Sequence, residues 1–231
     1  MKANLKLILI IVVSIAVLSS NFMVLAKQEE VELTIIELKE EGKNNGKNPG
    51  IPSNDDASSN PDYKLLRYHW YTTIQYYVNP GNPNGFSKAM VINVIQTSAE
   101  SWDSETSYAV FSYVGTTTLS AGTYDGKNVV SWGSYKAGVI GVTYLWSAGG
   151  RVLETDTILN TYYGWSLSGE AGKMDTQNIV THEFGHWCGL ADLYNNRDYW
   201  LTMYGYSNYG EVYKRTLGLG DINGLRKVYG Q

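Results

Sequence analysis

Thr181-His182-Glu183-Phe184-Gly185-His186-Trp187-Cys188-Gly189-Leu190-Ala191-Asp192 places two histidines four residues apart, with a glutamate directly after the first. On a helix of 3.6 residues per turn, positions i and i+4 share one face, so both imidazoles can reach a single cation. Glu183 then stands beside that cation with a free carboxylate. A third donor is needed, and the chain holds only three histidines. The remaining one, His69, lies more than a hundred residues upstream between aromatic residues and reads as a packing or surface histidine. Gly189 is suited to the left-handed turn that ends a helix, and the reversal there swings Asp192 back towards the two histidines. The ligand set is therefore expected to be His182, His186 and Asp192, with Gly189 as the supporting turn.

The helix carrying this stretch is predicted to start at an N-cap supplied by Asp175 or Thr176. Upstream, Thr73 to Val78 reads as a first strand, followed by a Pro-, Gly- and Asn-rich turn. Ser87 then caps a helix to Ser104 whose apolar stripe is Met90, Val91, Val94, Ile95, Ser98 and Trp102. Strands follow at Tyr108 to Val114, Asn128 to Trp132, Val139 to Leu145 and Val152 to Leu159, separated by Gly-rich turns. Glu154 and Asp156 interrupt the last of these, which favours an exposed edge over a calcium site. Leu201 to Tyr206 makes a tight apolar turn around Met203, and Asp221 is expected to cap a final helix from Ile222 to Tyr229.

The amino terminus has a different character. Lys2 and Lys6 precede an apolar run from Leu7 to Leu18, and Val24-Leu25-Ala26 closes it with small residues: the pattern of a secretory signal over 1–26, with an uncleaved membrane anchor as the alternative. Residues 27–62 are acidic at first, then rich in Gly, Asn, Pro and Ser. Strand and helix signals mix within 27–41, and the remainder has linker composition. The whole stretch reads equally as an inhibitory pro-segment or a tether; an aspartate such as Asp55, Asp56 or Asp62 could face the metal, but no cysteine is present to do so. Residues 63–231 form the folded domain. With a net charge of −4 and no basic cluster, nothing points to nucleic acid. The single cysteine, Cys188, excludes an intramolecular disulfide and reads as a buried apolar residue rather than a ligand.

The run H-E-F-G-H-W-C-G-L-A-D followed by a methionine turn at Met203 resembles the metzincin superfamily of zinc endopeptidases. E-T-D-T-I-L-N at Glu154 to Asn160, L-T-M-Y-G-Y, and L-G-L-G-D-I-N-G-L-R-K-V-Y-G at Leu217 to Gly230 look like the matrixin-type catalytic domain. The resemblance covers about Tyr63 to Gln231. It implies an α+β zincin fold: a twisted, mostly parallel mixed sheet, a backing helix, an active-site helix, and a small C-terminal subdomain holding the methionine turn and final helix. It makes His182 and His186 zinc ligands, Glu183 the general base and Met203 the residue beneath the metal. The third ligand departs from typical matrixins, with Asp192 in place of histidine as in snapalysin-like enzymes. The histidines of a second, structural zinc have no counterpart, so one Zn2+ is expected and Ca2+ stays open.

The expectation is a secreted, monomeric zinc endopeptidase acting on protein or peptide substrates, in which Glu183 activates a zinc-bound water, with no stable membrane association after signal removal. An aspartate ligand leaves the metal centre at a net charge of about +1, which makes bound water less acidic and Glu183 more important. The alternative is a catalytically inactive metzincin-like surface binding module. Tyr204 and Tyr206 read as packing residues rather than oxyanion donors.

Overall fold

The computed structural model describes residues 29–42 and 57–231; the signal-like segment and Asp55 and Asp56 lie outside them. The chain folds as a mixed α+β domain around a seven-stranded sheet. In chain order the elements are β1 (Glu32–Glu40), β2 (Ile74–Val78), α1 (Lys88–Asp103), β3 (Phe111–Thr116), β4 (Asn128–Gly133), β5 (Val139–Ala148) and β6 (Arg151–Asn160). The short pair β7 (Trp165–Ser166) and β8 (Met174–Asp175) leads into α2 (Thr176–Trp187), followed by β9 (Tyr206–Ser207) and α3 (Leu219–Tyr229). Strand order is β3-β2-β4-β6-β5-β1-β9. All neighbours run parallel except β5, which is antiparallel to both β6 and β1.

Local chemistry explains the two long helices. Ser87 caps α1 by accepting the Met90 N–H at 3.3 Å, and Val91, Val94, Ile95, Ser98, Ala99 and Trp102 form its buried stripe. Asp175, the N-cap of α2, accepts the Asn178 N–H at 3.0 Å. Nearly every residue of α2 is buried, because α1 lies on one side and the sheet on the other. The Trp102 indole donates to the Thr181 carbonyl at 2.9 Å, and the Trp187 indole donates to the Thr157 hydroxyl of β6 at 2.9 Å. These bonds fix the helix between its two neighbours and hold its histidines in one orientation.

Three sequence expectations are corrected. Glu154 and Asp156 do not mark an edge: β6 lies between β4 and β5, and both carboxylates are buried. Asp156 accepts the N–H groups of Gly122, Thr123 and Val129, while Glu154 accepts those of Asp125 and Gly126. The two acids therefore pin the loop before β4, and their oxygens face N–H donors that would repel a cation. Asp221 is not the N-cap residue of the final helix, which begins at Leu219 with Gly218 as N-cap; it sits at the third helical position and accepts the Gly218 N–H at 2.8 Å, closing a capping box. The buried face of that helix is Gly220, Asp221, Gly224 and Leu225, with Ile222 only half-buried.

The third correction concerns the region before the domain. Residues 32–40, open between strand and helix from sequence, form β1 and pair with β5 over nearly their whole length. Ala57 to Asp62, grouped with the linker by composition, pack on the domain: the Ala57 carbonyl accepts the Leu219 N–H at 2.7 Å, and buried Asn60 donates to Asp198 at 3.1 Å. Composition misses both because their partners are distant in sequence.

Candidate metal centre

Helix α2 presents His182, Glu183 and His186 on the face turned towards β5 and the later loops, and all three are fully buried. At its end, Gly189 adopts φ +92°, and the Leu190 N–H returns to the Gly185 carbonyl at 2.9 Å. The turned segment is then held by a backbone ladder, with the Leu66 N–H donating to Gly189 at 2.7 Å and the Ala191 N–H to Lys64 at 2.8 Å. That ladder carries Asp192 back to the histidines. Its Oδ1 lies 3.2 Å from Nε2 of His182 and 3.5 Å from Nε2 of His186.

The other ring nitrogens are committed elsewhere. Nδ1 of His182 sits 2.7 Å from the Thr202 carbonyl and Nδ1 of His186 lies 2.9 Å from the Leu190 carbonyl. Each backbone oxygen needs an N–H, so each Nδ1 carries a proton and Nε2 is the nitrogen that faces the shared point. Tyr194 donates its hydroxyl to Oδ2 of Asp192 at 2.9 Å, which leaves Oδ1 for the shared point. Both Nε2 atoms and Oδ1 are buried without a hydrogen-bond partner among the described residues. Three buried, converging, unpartnered donors are costly unless something binds them. Bonds of 2.0–2.1 Å to a tetrahedral ion require donor separations of about 3.3 Å, which the two measured spacings match. Among the described residues, this triad can hold a metal ion.

Glu183 stands beside the triad. The Thr143 hydroxyl donates to its Oε2 at 2.7 Å, and Oε1 is buried and unpartnered. Burial raises its carboxyl above the ordinary carboxylate range, while His186 and His182 pull it down. Burial alone would also raise Asp192, but the neighbouring His186 and His182 outweigh it and hold that carboxyl well below its usual range. For His186, burial lowers the pKa and Asp192 more than reverses it, to about 9. Asp192 thus stays anionic, and His186 must release a proton when a cation takes its place.

Met203 packs beneath the site. Its sulfur would lie 2.1 Å from a Cβ added at Gly185, so the glycine between the two histidines is what lets the methionine turn approach α2. Asp221 holds that turn from α3, accepting the N–H groups of Thr202 at 2.8 Å and Met203 at 3.0 Å. Since Thr202 receives His182, the chain Asp221, Thr202, His182 fixes one imidazole from the far end of the domain. Thr143, Tyr194, Thr202, Asp221 and Gly185 were not singled out as site residues from sequence. Only Gly185 carried a signal, as a glycine inside a helix.

His69 takes no part: its ring lies 4.5 Å from Tyr71 and it packs on Gly189. Cys188 is buried and free, and burial raises its thiol pKa. Tyr204 and Tyr206 pack on each other, with Tyr206 also against Tyr194. No protein-family model and no curated protein matches this chain.

Proposed function

We propose that this protein is a zinc-dependent endopeptidase. The observation that carries the reading is the convergence of Nε2 of His182, Nε2 of His186 and Oδ1 of Asp192 on one point, with the unpartnered Oε1 of Glu183 alongside. Two imidazoles and one carboxylate suit zinc, and three protein ligands leave a fourth position for reaction. The resemblance of the motif and its methionine turn to the metzincins points the same way.

Zinc bound there supplies Lewis acidity, polarising the substrate carbonyl and making an attacking water more acidic. Glu183 takes the proton from that water through Oε1 while Thr143 holds Oε2, then passes it to the leaving nitrogen. Tyr194 and the carbonyls of Thr202 and Leu190 keep the ligands in place as the reaction proceeds. The signal-like segment favours export, so the reading includes a secreted enzyme, testable by finding the chain in culture medium with its amino terminus at Lys27.

The test is metal analysis together with a generic protein-cleavage assay on the wild type and Glu183→Ala. One zinc per chain in both, with turnover reduced at least a thousandfold in the variant, is the expected result. Full zinc with no cleavage by either would favour the non-catalytic binding module, and absence of zinc would overturn the reading.

A further inference from the structure

Glu183 and Trp187 stand four residues apart on α2, hence on one face and about one turn from each other. Both reach the sheet, where two threonines receive them. Thr143 on β5 and Thr157 on β6 are directly paired across the antiparallel ladder, so their side chains share a face. All four residues are fully buried.

The bonds among them form a chain with one direction. The Trp187 indole donates to the Thr157 hydroxyl at 2.9 Å, the two threonine hydroxyls lie 3.0 Å apart, and Thr143 donates to Oε2 of Glu183 at 2.7 Å. An indole N–H only donates, and a hydroxyl has a single hydrogen. Because Thr143 gives its hydrogen to Oε2, the Thr157 hydroxyl donates to Thr143. Every hydrogen therefore points from Trp187 towards the carboxylate. Bonds aligned in this way polarise one another, and the last is charge-assisted when Glu183 is ionised. The chain leaves α2 at Trp187, crosses β6 and β5, and returns to α2 at Glu183, so the helix cannot turn on the sheet without breaking one of its bonds.

The same strand treats the other carboxylate oxygen differently. Gly141, two residues before Thr143 on β5, faces α2 as well. A Cβ there would lie 2.4 Å from Oε1 of Glu183 and 3.1 Å from Cγ2 of Ile179. No donor among the described residues meets Oε1. Filling buried hydrogen-bonding needs would put donors on both oxygens; it does not explain a donor on one and a cleared space at the other.

We infer that Thr143, Thr157 and Trp187 form a positioning relay that locks the carboxylate of Glu183 in one orientation, with Gly141 leaving Oε1 as the oxygen free to accept a proton. No proton travels along the relay; it fixes where Oε1 stands. The inference rests on the endopeptidase reading for its effect on turnover, while the relay itself can be followed without catalysis.

The test has two arms, both on the full chain loaded with zinc. The first follows the Trp187 indole N–H resonance, assigned by its loss in Trp187→Phe. Glu183→Gln should shift this resonance in the otherwise unchanged protein and leave it in place when Thr143→Val cuts the relay. The second arm is steady-state cleavage of fluorescein-labelled casein. Thr143→Val should lower kcat about thirtyfold, with KM and zinc affinity within about twofold of wild type, as expected when an orienting contact rather than a binding one is lost. Thr143→Ser, which keeps the hydroxyl, should recover most of that loss. Thr157→Val should lower kcat about fivefold, and the double variant should fall no further than Thr143→Val alone, because Thr157 acts only through Thr143. Gly141→Ala, whose methyl displaces Oε1, should lower kcat about a hundredfold with zinc retained. If Thr143→Val does not fold, Thr157→Val carries both arms.

A Thr143→Val enzyme with wild-type kcat, multiplied losses in the double variant, or a Trp187 shift that survives Thr143→Val would each overturn the inference. A zinc-loaded wild type that cleaves nothing while the shift is relayed would instead sink the endopeptidase reading and leave the relay standing.

Discussion

Two groups of buried carboxylates have opposite surroundings. Glu154 and Asp156 on β6 are wrapped by five backbone N–H groups, four from the loop before β4 and one from Val129 of β4 itself. Asp192 and Glu183 each keep one oxygen bonded and one buried without a partner. Burial costs a carboxylate heavily unless donors or a cation meet it. The first pair is met by the fold itself, whereas the second is left incomplete, as oxygens beside a cation site are. Burial and charge alone do not distinguish them; the partner of each oxygen does.

The strongest way to break this contrast is to remove a ligand. Asp192→Ala should weaken zinc binding at least a thousandfold, about 4 kcal/mol, as read by metal titration, and should abolish the rise in melting temperature that zinc gives the wild type. Full zinc retention in Asp192→Ala would remove Asp192 from the ligand set. On the other side of the comparison, Asp156→Ala leaves three N–H groups unpaired and should cost about 3 kcal/mol in urea unfolding, with zinc stoichiometry unchanged.

Gly185→Ala drives a methyl into the Met203 sulfur and the Trp102 ring, and overpacking of this kind costs about 2 kcal/mol. Because the shift falls between the two histidines, zinc affinity should drop with stability, unlike in Asp156→Ala. The smallest effect belongs to Tyr194→Phe, which deletes only the bond that orients Asp192: zinc affinity should fall about tenfold, with unfolding nearly unchanged. A Tyr194→Phe protein with wild-type affinity would show that Asp192 is positioned by the backbone ladder alone.

Much of the centre was legible because its chemistry is local. The i, i+4 histidines, the adjacent glutamate and the glycine that ends the helix lie within twelve residues, and helix geometry alone turns that spacing into a shared face. Asp192 followed from the scarcity of histidine and the glycine turn. The capped α1 and most strands were readable from periodicity and turn residues for the same reason. Glu154 and Asp156 misled because an acid in a strand suggests solvent, and the N–H groups that receive these two come from a loop some thirty residues earlier. Asp221 shows the same limit: its role at a helix start, where it accepts the Gly218 N–H, is local and legible, while its bonds to Thr202 and Met203 are not.

Sequence by itself determined which atoms could bind a cation, since residue type and helical period fix the donors and their common face. Only the tertiary structure decided what surrounds them. It chose which buried oxygens are satisfied, brought Met203 against Gly185, ran the chain of bonds from Asp221 to His182, and paired β1 with β5. Each of these depends on pairing between segments far apart in the chain, and such pairing is set by packing and hydrogen-bond completion across the whole domain rather than by any local pattern.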